Sequence, residues 1–347
     1  MALNAHTRRR EENFPVESEK VHLQWKEKLG SEDTSVGIYF DGARCVVLAD
    51  HTLASFDEKG GNQWKRELKA TAPILAGNER FLAIAAGQRL MVLSHEGNID
   101  GKFTFPGRIS HLLLSPKRSE IVVLAAITAA NRPLYRLCSC ASSGVVEFTR
   151  DLKHPPLGLH IVDDTIVTAY ASGVVHHFTQ KGELRNRIDL KSKLSAFPSA
   201  KPLVFEGEDK IHFFLDGWRE LHAVDLRILS VSEEEMLFSR RGRFLCLYHF
   251  RDGFLWEVLL PEKIRDAGLY AERSLVLSEG GLHAFSLADG SHRFSMEIEG
   301  GKRLFLPRQG RRFLILHGTG ISCWELPTPR RERSEETTQK RQESRNG

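Results

Sequence analysis

The 347-residue chain predicts a closed all-β ring, a β-propeller of four-stranded antiparallel blades, on three observations. Gln24, Trp25 and Lys26 return as Gln63, Trp64 and Lys65, an offset of 39 residues, and self-similarity at such a period marks a repeat architecture. Eight apolar hairpins follow, with turn centres near Asp50, Gly87, Asn131, Gly173, Gly217, Gly253, Gly280 and Thr319. Their mean spacing of roughly 38 residues suits one blade per hairpin. No stretch holds a helical period for three turns. Eight blades fit the count; seven is the alternative, because the interval from Gly253 to Gly280 is only 27 residues.

Taken in order, residues 1–20 are polar, with four basic and four acidic side chains, and read as a disordered tail. The strand of residues 22–29 carries the first Gln-Trp-Lys yet precedes any complete unit. Each unit then runs as an apolar strand, a tight turn and a second strand of alternating pattern. Glycine recurs in these turns because two-residue hairpin turns need φ > 0. A further turn leads to a fourth strand, as at Gly60 before Trp64 and Gly290 before Phe294, each aromatic four residues after its glycine. Trp25, Trp64 and Phe294 are therefore predicted to insert between neighbouring blades, each burying 150–250 Å² and contributing about 4–6 kcal/mol gross. The last unit, around Cys323 and Trp324, has three strands and no fourth. Residues 22–29 are expected to supply it, closing the ring and covering a sheet edge. One propeller domain over 21–327 is the result, with a second disordered tail over 328–347.

Residues 53–68 and 281–298 resemble the tryptophan-docking repeat of quinoprotein-like propellers, with a Leu-x-Ala-Leu-Asp-like strand, a turn glycine and then Trp or Phe. The match is partial over 174–190. The resemblance implies the propeller fold. Enzymes of that superfamily bind pyrroloquinoline quinone beside Ca²⁺ in the central funnel, often with an adjacent-cysteine disulfide on the cofactor. This chain has no Cys-Cys pair and no matching cluster of oxygen ligands. Neither a cofactor nor a catalytic constellation is expected.

Other chemistry is equally sparse. The 15 histidines suggest metal, but His176, His222 and His283 share a repeat slot with Tyr135 and Trp256, where a half-polar ring packs at a blade edge. Slots on different blades are radially dispersed and cannot share an ion. Cys138 and Cys140 lie on one strand face, too far apart for a strain-free disulfide, with no second pair at zinc spacing. No metal site is expected. Asp163-Asp164 and the acidic run at 233–235 read as solvated turns. There is no phosphate loop and no nucleophile elbow.

Net charge is +4, far from the field of a dedicated nucleic-acid binder. The tail after residue 326 has six basic and four acidic residues, so interleaved acids weaken a nucleic-acid or lipid reading of Arg8, Arg9, Arg10, Arg330, Arg331 and Arg333. Five scattered cysteines favour reduced thiols and a cytoplasmic compartment. The longest apolar run, about ten residues from Ile121, is too short to span a membrane, and the N-terminal sequence is not a signal peptide.

The expected function is a non-catalytic, monomeric scaffold presenting a rigid propeller face to a protein partner. Blade-to-blade crossings and the turns within the recurring hairpin emerge on one face. The candidate partner-binding residues there are Arg132, His154, Lys193, Phe197, Trp218, Arg219 and Phe254. Trp218 beside Arg219 is of the type that anchors interfaces. The alternatives are a quinoprotein-like enzyme or small-ligand binder, and a nucleic-acid or membrane-surface adaptor acting through the tails.

Overall fold

Adjacent blades seal against each other because their middle strands are apolar on both sides. β3 (Cys45–Ala49) is buried at every residue. A strand covered on both faces reads as a continuous apolar run instead of an alternating one. The computed structural model describes residues 21–326 apart from 30–35, 50, 69–71, 116–118, 130–131, 163, 209, 216, 223–224 and 308–309. The two predicted tails lie outside the described residues, as does Pro327.

Among the described residues there is no helix, and so none long and apolar enough to cross a membrane. Thirty-two strands, β1–β32 in chain order, form eight four-stranded antiparallel sheets. The first strands of the blades are β2 (Val36–Phe40), β6 (Ile74–Gly77), β10 (Arg108–Leu114), β14 (Gly158–Val162), β18 (Leu194–Ala200), β22 (Leu226–Val231), β26 (Ile264–Tyr270) and β30 (Arg303–Phe305). These neighbour one another around the axis, and the other three strands step outward. Apolar clusters sit between consecutive blades. One joins Val46, Leu48 and Leu53 of blade 1 to Leu82, Ile84 and Leu93 of blade 2.

The ring closes as the repeated Gln-Trp-Lys predicts. β1 (His22–Lys28) is the fourth strand of the blade made by β30, β31 (Arg312–Leu316) and β32 (Gly320–Glu325), pairing from His22↔Glu325 to Lys28↔Gly320. Val21 and Leu326 meet in one apolar cluster with Phe294.

The short interval behind the seven-blade alternative comes from a different strand frame in two blades. Gly217 lies between β20 (Lys210–Phe214) and β21 (Trp218–His222), and Gly253 opens β25 (Gly253–Leu259) after β24 (Phe244–His249). Both mark the turn between third and fourth strands. The turn between second and third strands of blade 6 is Arg241-Gly242, both left-handed. Measured from Gly242, Gly280 lies 38 residues on, and the short interval disappears. The third-to-fourth hairpins of these blades join an apolar third strand to a fourth strand that carries a Trp, which mimics the second-to-third hairpins of the others, so hydrophobic pattern alone could not separate them.

The repeat has a structural register. In seven blades a β-bulge falls early in the fourth strand, at Gln24, Gln63, Asp100, Glu147, Arg185, Leu255 and Arg293. The next residue is Trp25, Trp64, Gly101, Phe148, Asn186, Trp256 or Phe294. The bulge adds local twist, and where the residue after it is aromatic it packs on the following blade. Trp25 covers Gly60, Trp64 covers Gly97, Phe148 covers Gly182 and Trp256 covers Gly290; Phe103 covers Gly144. Each of these glycines has φ between +70° and +89°, and a Cβ on it would fall within 2.8 Å of the ring. Trp64 Nε1–H donates to the His95 carbonyl at 2.9 Å, and Trp256 Nε1–H to Leu287 at 2.8 Å. Phe294 is 2% exposed against the closing blade. Trp25, Trp64 and Phe294 each pack against the following blade. Trp256 also docks, and its assignment to the half-polar ring slot is corrected. That slot is on third strands, where His176, His283 and Tyr135 sit, whereas His222 and Trp256 are on fourth strands.

Candidate partner-binding faces

Antiparallel order fixes which loops share a face. Crossings between blades and second-to-third turns emerge on one side, the crossing face; the other turns emerge opposite. The seven candidate residues do not share one surface. Arg132, His154 and Lys193 are exposed on the crossing face. Trp218, Arg219 and Phe254 follow third-to-fourth turns and so lie on the opposite face, a consequence of the strand frame in blades 5 and 6. Phe197, in β18, is 6% exposed and stacks on Phe205 at 4.7 Å, which makes it core.

On the crossing face, blade 3 breaks the ring's regularity. Its second and third strands, β11 (Glu120–Ala129) and β12 (Arg132–Ala141), are ten residues each. β10 stops pairing with β11 at Arg108↔Ala126, and the outermost strand stops at Tyr135↔Leu152. β11 and β12 continue for three more pairs, Ile127↔Leu134 to Ala129↔Arg132. That hairpin stands roughly 10 Å above its sheet, from about 3.3 Å per residue. In blade 2 the corresponding hairpin passes its inner neighbour by a single pair, Ala86↔Arg89. The crossing from blade 2 packs against the raised hairpin's base. Ile109 N–H donates to the Gly87 carbonyl at 2.7 Å, and a Cβ at Gly107 would lie 2.2 Å from the Ala126 oxygen. On its other flank Arg136 holds Asp151 through two bonds of 2.7 and 3.0 Å. The guanidinium contact lowers the Asp151 pKa and raises that of Arg136.

On the opposite face Trp218 is 40% and Phe214 39% exposed, their rings edge-to-face at 5.3 Å. Arg219 is committed to structure. Its Nη1–H donates to the Phe250 carbonyl of the next blade at 3.1 Å, as Arg66 does to Gly97 and Arg150 to Gly182. Trp218→Ala is therefore expected to leave the melting temperature within a degree or two, whereas Arg219→Ala should cost about 1 kcal/mol through the lost inter-blade bond. Thermal unfolding of the two variants side by side checks this, and equal shifts would contradict it.

The axial channel is asymmetric. Around blades 5 to 8, side chains cap free N–H groups of the next first strand. Glu206 accepts from Ile228 N–H (3.1 Å), Ser230 from Leu269 N–H (3.3 Å) and Asp266 from Leu304 N–H (2.9 Å). Burial raises the Asp266 pKa against the Leu304 and Ala267 N–H donors that lower it. From blade 8 round to blade 3 the channel side chains are apolar toward the opposite face. Tyr39, Phe40, Leu112, Leu114 and Phe305 line a cavity of about 580 Å³ toward the opposite face.

The polar clusters do not form a nucleophile's array. Ser278, 1% exposed, donates to Glu262 Oε2 at 2.9 Å, so its proton goes to the carboxylate and not to His283, 3.1 Å away. His317 resembles a base, with Nδ1 3.1 Å from the Glu299 carbonyl and Nε2 2.6 Å from Ser322 Oγ. Ser322, however, is 1% exposed and receives Trp324 Nε1–H. Burial raises every cysteine thiol, Cys138 to about 11 and Cys140 to about 12, and all five are buried and free. Among the described residues no three His, Cys, Asp or Glu side chains come together as a metal set.

Burial lowers the pKa of His95, His111, His160, His176, His177, His283 and His317. Each binds its proton more weakly folded than unfolded. The stability tied to their neutral forms is complete above the unfolded value near pH 6.5 and is lost as pH falls through the folded values. The melting temperature should drop between pH 7 and pH 5. His160, whose Nε2–H donates to the Phe197 carbonyl at 2.9 Å, is one contributor, and His160→Gln should flatten the drop. A flat melting profile in the parent protein would refute this.

No protein-family model and no curated protein sequence matches the chain. Solved structures do. BamB from Moraxella catarrhalis is similar at a TM-score of 0.63 and 12% identity, covering 88% of this chain and 98% of that one. Saccharomyces cerevisiae Sqt1 gives 0.66 and 10%, over 88% and 98%. The Dos1 propeller gives 0.64 and 13%, over 88% and 95%. At these identities the likeness is one of fold: the chain is an eight-bladed β-propeller.

Proposed function

We propose that this chain is a non-catalytic scaffold that binds a protein partner on the crossing face, and that it works as a cytoplasmic monomer. The observation that carries the reading is the raised β11–β12 hairpin, an excursion that the ring does not need for closure. A projecting hairpin on a rigid ring offers a shaped surface at little ordering cost. The shut-away serines and raised thiols support the non-catalytic reading, and the docking register supports placing the chain beside quinoprotein-like propellers in fold.

The test replaces residues 127–134 with a two-residue Asn-Gly turn. A partner that co-purifies stoichiometrically with the full chain should be lost while the melting temperature holds. Retention of that partner, or turnover by the purified chain, would reject the reading. A second reading rests on the exposed Trp218–Phe214 pair and places the partner on the opposite face. Loss of the partner in Trp218→Ala with retention in the hairpin variant would select it.

A further inference from the structure

The crossing face around the raised hairpin carries four cations that nothing in the fold uses. Arg89 opens the third strand of blade 2, Arg108 opens β10, Arg132 stands on the raised hairpin, and Lys153 begins the crossing to blade 4. All four are exposed, and among the described residues none has a side-chain hydrogen-bond or ion-pair partner. They are contiguous through the backbone. The Gly87 carbonyl, two residues before Arg89, receives the N–H of Ile109, next to Arg108. Lys153 follows Leu152, which pairs with Tyr135 at the hairpin's base.

Two acids of this sector are neutralised; Glu67, which ends the fourth strand of blade 1, is exposed and lines a cavity with Arg89. Asp151 is held by Arg136 and Asp189 by Lys191 at 3.0 Å. Across blades 6 to 8 the same face mixes signs, with exposed Asp225, Glu279 and Glu299 among Arg241, Lys263 and Lys302. Among the described residues, positive charge therefore outweighs free acid around the raised hairpin, with Arg108, Arg132 and Lys153 against the exposed carboxylate near Arg89. Free arginine forks set around an upright hairpin favour carboxylates, which they can bind through two parallel bonds.

We infer that this surface docks an extended, acidic segment of a partner protein, rich in Asp and Glu, laid along the base of the raised hairpin across blades 2 to 4. The inference rests on the scaffold reading and specifies its chemistry. A long nucleic acid fits less well, because four cations make a short stripe and mixed charge begins beyond it. The acidic residues of the chain's own N-terminal segment precede Val21, which lies at the start of β1 on the opposite face.

The experiment uses the full chain and a fluorescein-labelled peptide of about 12 residues, alternating Asp or Glu with Gly and Ser, long enough to cross the stripe at about 3.3 Å per residue. Its Asn/Gln counterpart and a single-stranded DNA of equal length serve as competitors, read by fluorescence polarisation. The acidic peptide should bind, and binding should weaken about tenfold between 50 and 200 mM salt. It should weaken at least tenfold in the variant Arg108→Glu, Arg132→Glu, Lys153→Glu, with Gln at the same positions giving a smaller loss. The control Arg185→Glu, Arg251→Glu on the opposite face should stay within twofold of the parent. No binding, equal loss in both variants, or tighter binding of the DNA at the same residues would overturn the inference. Release of the natural partner by the hairpin replacement but not by charge reversal would overturn it and leave the scaffold reading standing.

Discussion

Removal of residues 1–30 is expected to lower the melting temperature by roughly 10 °C and to drive the protein into larger species, while removal of 1–18 changes neither. The longer deletion takes away β1. Six residues of β1 pair with β32, and Trp25 lies over Gly60 and stacks on Phe56 with ring centroids 5.8 Å apart. Burial of an indole contributes about 4–6 kcal/mol gross, and each kcal/mol moves the midpoint of a domain this large by about 2 °C. The deletion also bares the edge of β32, where Ile321 and Cys323 are buried in the intact ring. An unpaired apolar edge recruits other strands, so the loss of stability and the association have one cause. Thermal unfolding and light scattering at matched concentrations separate the two truncations. Identical behaviour would refute closure by β1.

The closure was legible because one pair of docking segments, around Trp25 and Trp64, is almost unmutated, and because Trp25 lies upstream of any unit it could complete. Blade number was legible from spacing, but the strand frame was not. In blades 5 and 6 the third strand is apolar and the fourth carries large apolar residues, Trp218 and Leu221 or Phe254, Trp256 and Val258, so Gly217 and Gly253 passed for inner turns. One misplacement then carried Trp218, Arg219 and Phe254 to the wrong face and Trp256 to the wrong slot. The bulge preceding each docking residue would have set the frame. A bulge is a backbone feature, however, and Gln24, Asp100 and Leu255 share no side-chain property that announces it. The raised hairpin was half visible. The apolar run from Ile121 is longer than any other, but how far it outruns β10 depends on where β10 stops pairing. The four unused cations could not be told from paired ones, since Arg136 and Arg132 differ only in that Asp151 comes to lie opposite the former.

Gly290→Ala should destabilise the protein by about 3 kcal/mol, and most of that cost should depend on Trp256. Gly290 has φ +70°, which alone costs an alanine about 1–2 kcal/mol. The new Cβ would also stand 2.8 Å from Cδ2 and 2.9 Å from Cγ of Trp256. The indole cannot step aside freely, because Nε1–H is bonded to the Leu287 carbonyl and the ring packs among Leu245, Leu247 and Phe285. Trp256→Ala is expected to cost about 3–5 kcal/mol by cavity formation. In that background the added methyl meets no ring, so Gly290→Ala falls back to its backbone cost alone and the two substitutions couple by about 1–2 kcal/mol. Gly87 supplies the control. Its φ is +61°, but no atom lies within 4 Å of the place a methyl would take, so Gly87→Ala should show the backbone cost only. Urea unfolding of the four variants measures each quantity. Equal losses for Gly87→Ala and Gly290→Ala, or an additive cycle with Trp256→Ala, would show that the ring does not hold its neighbour's turn and that the blades are joined by the apolar clusters alone.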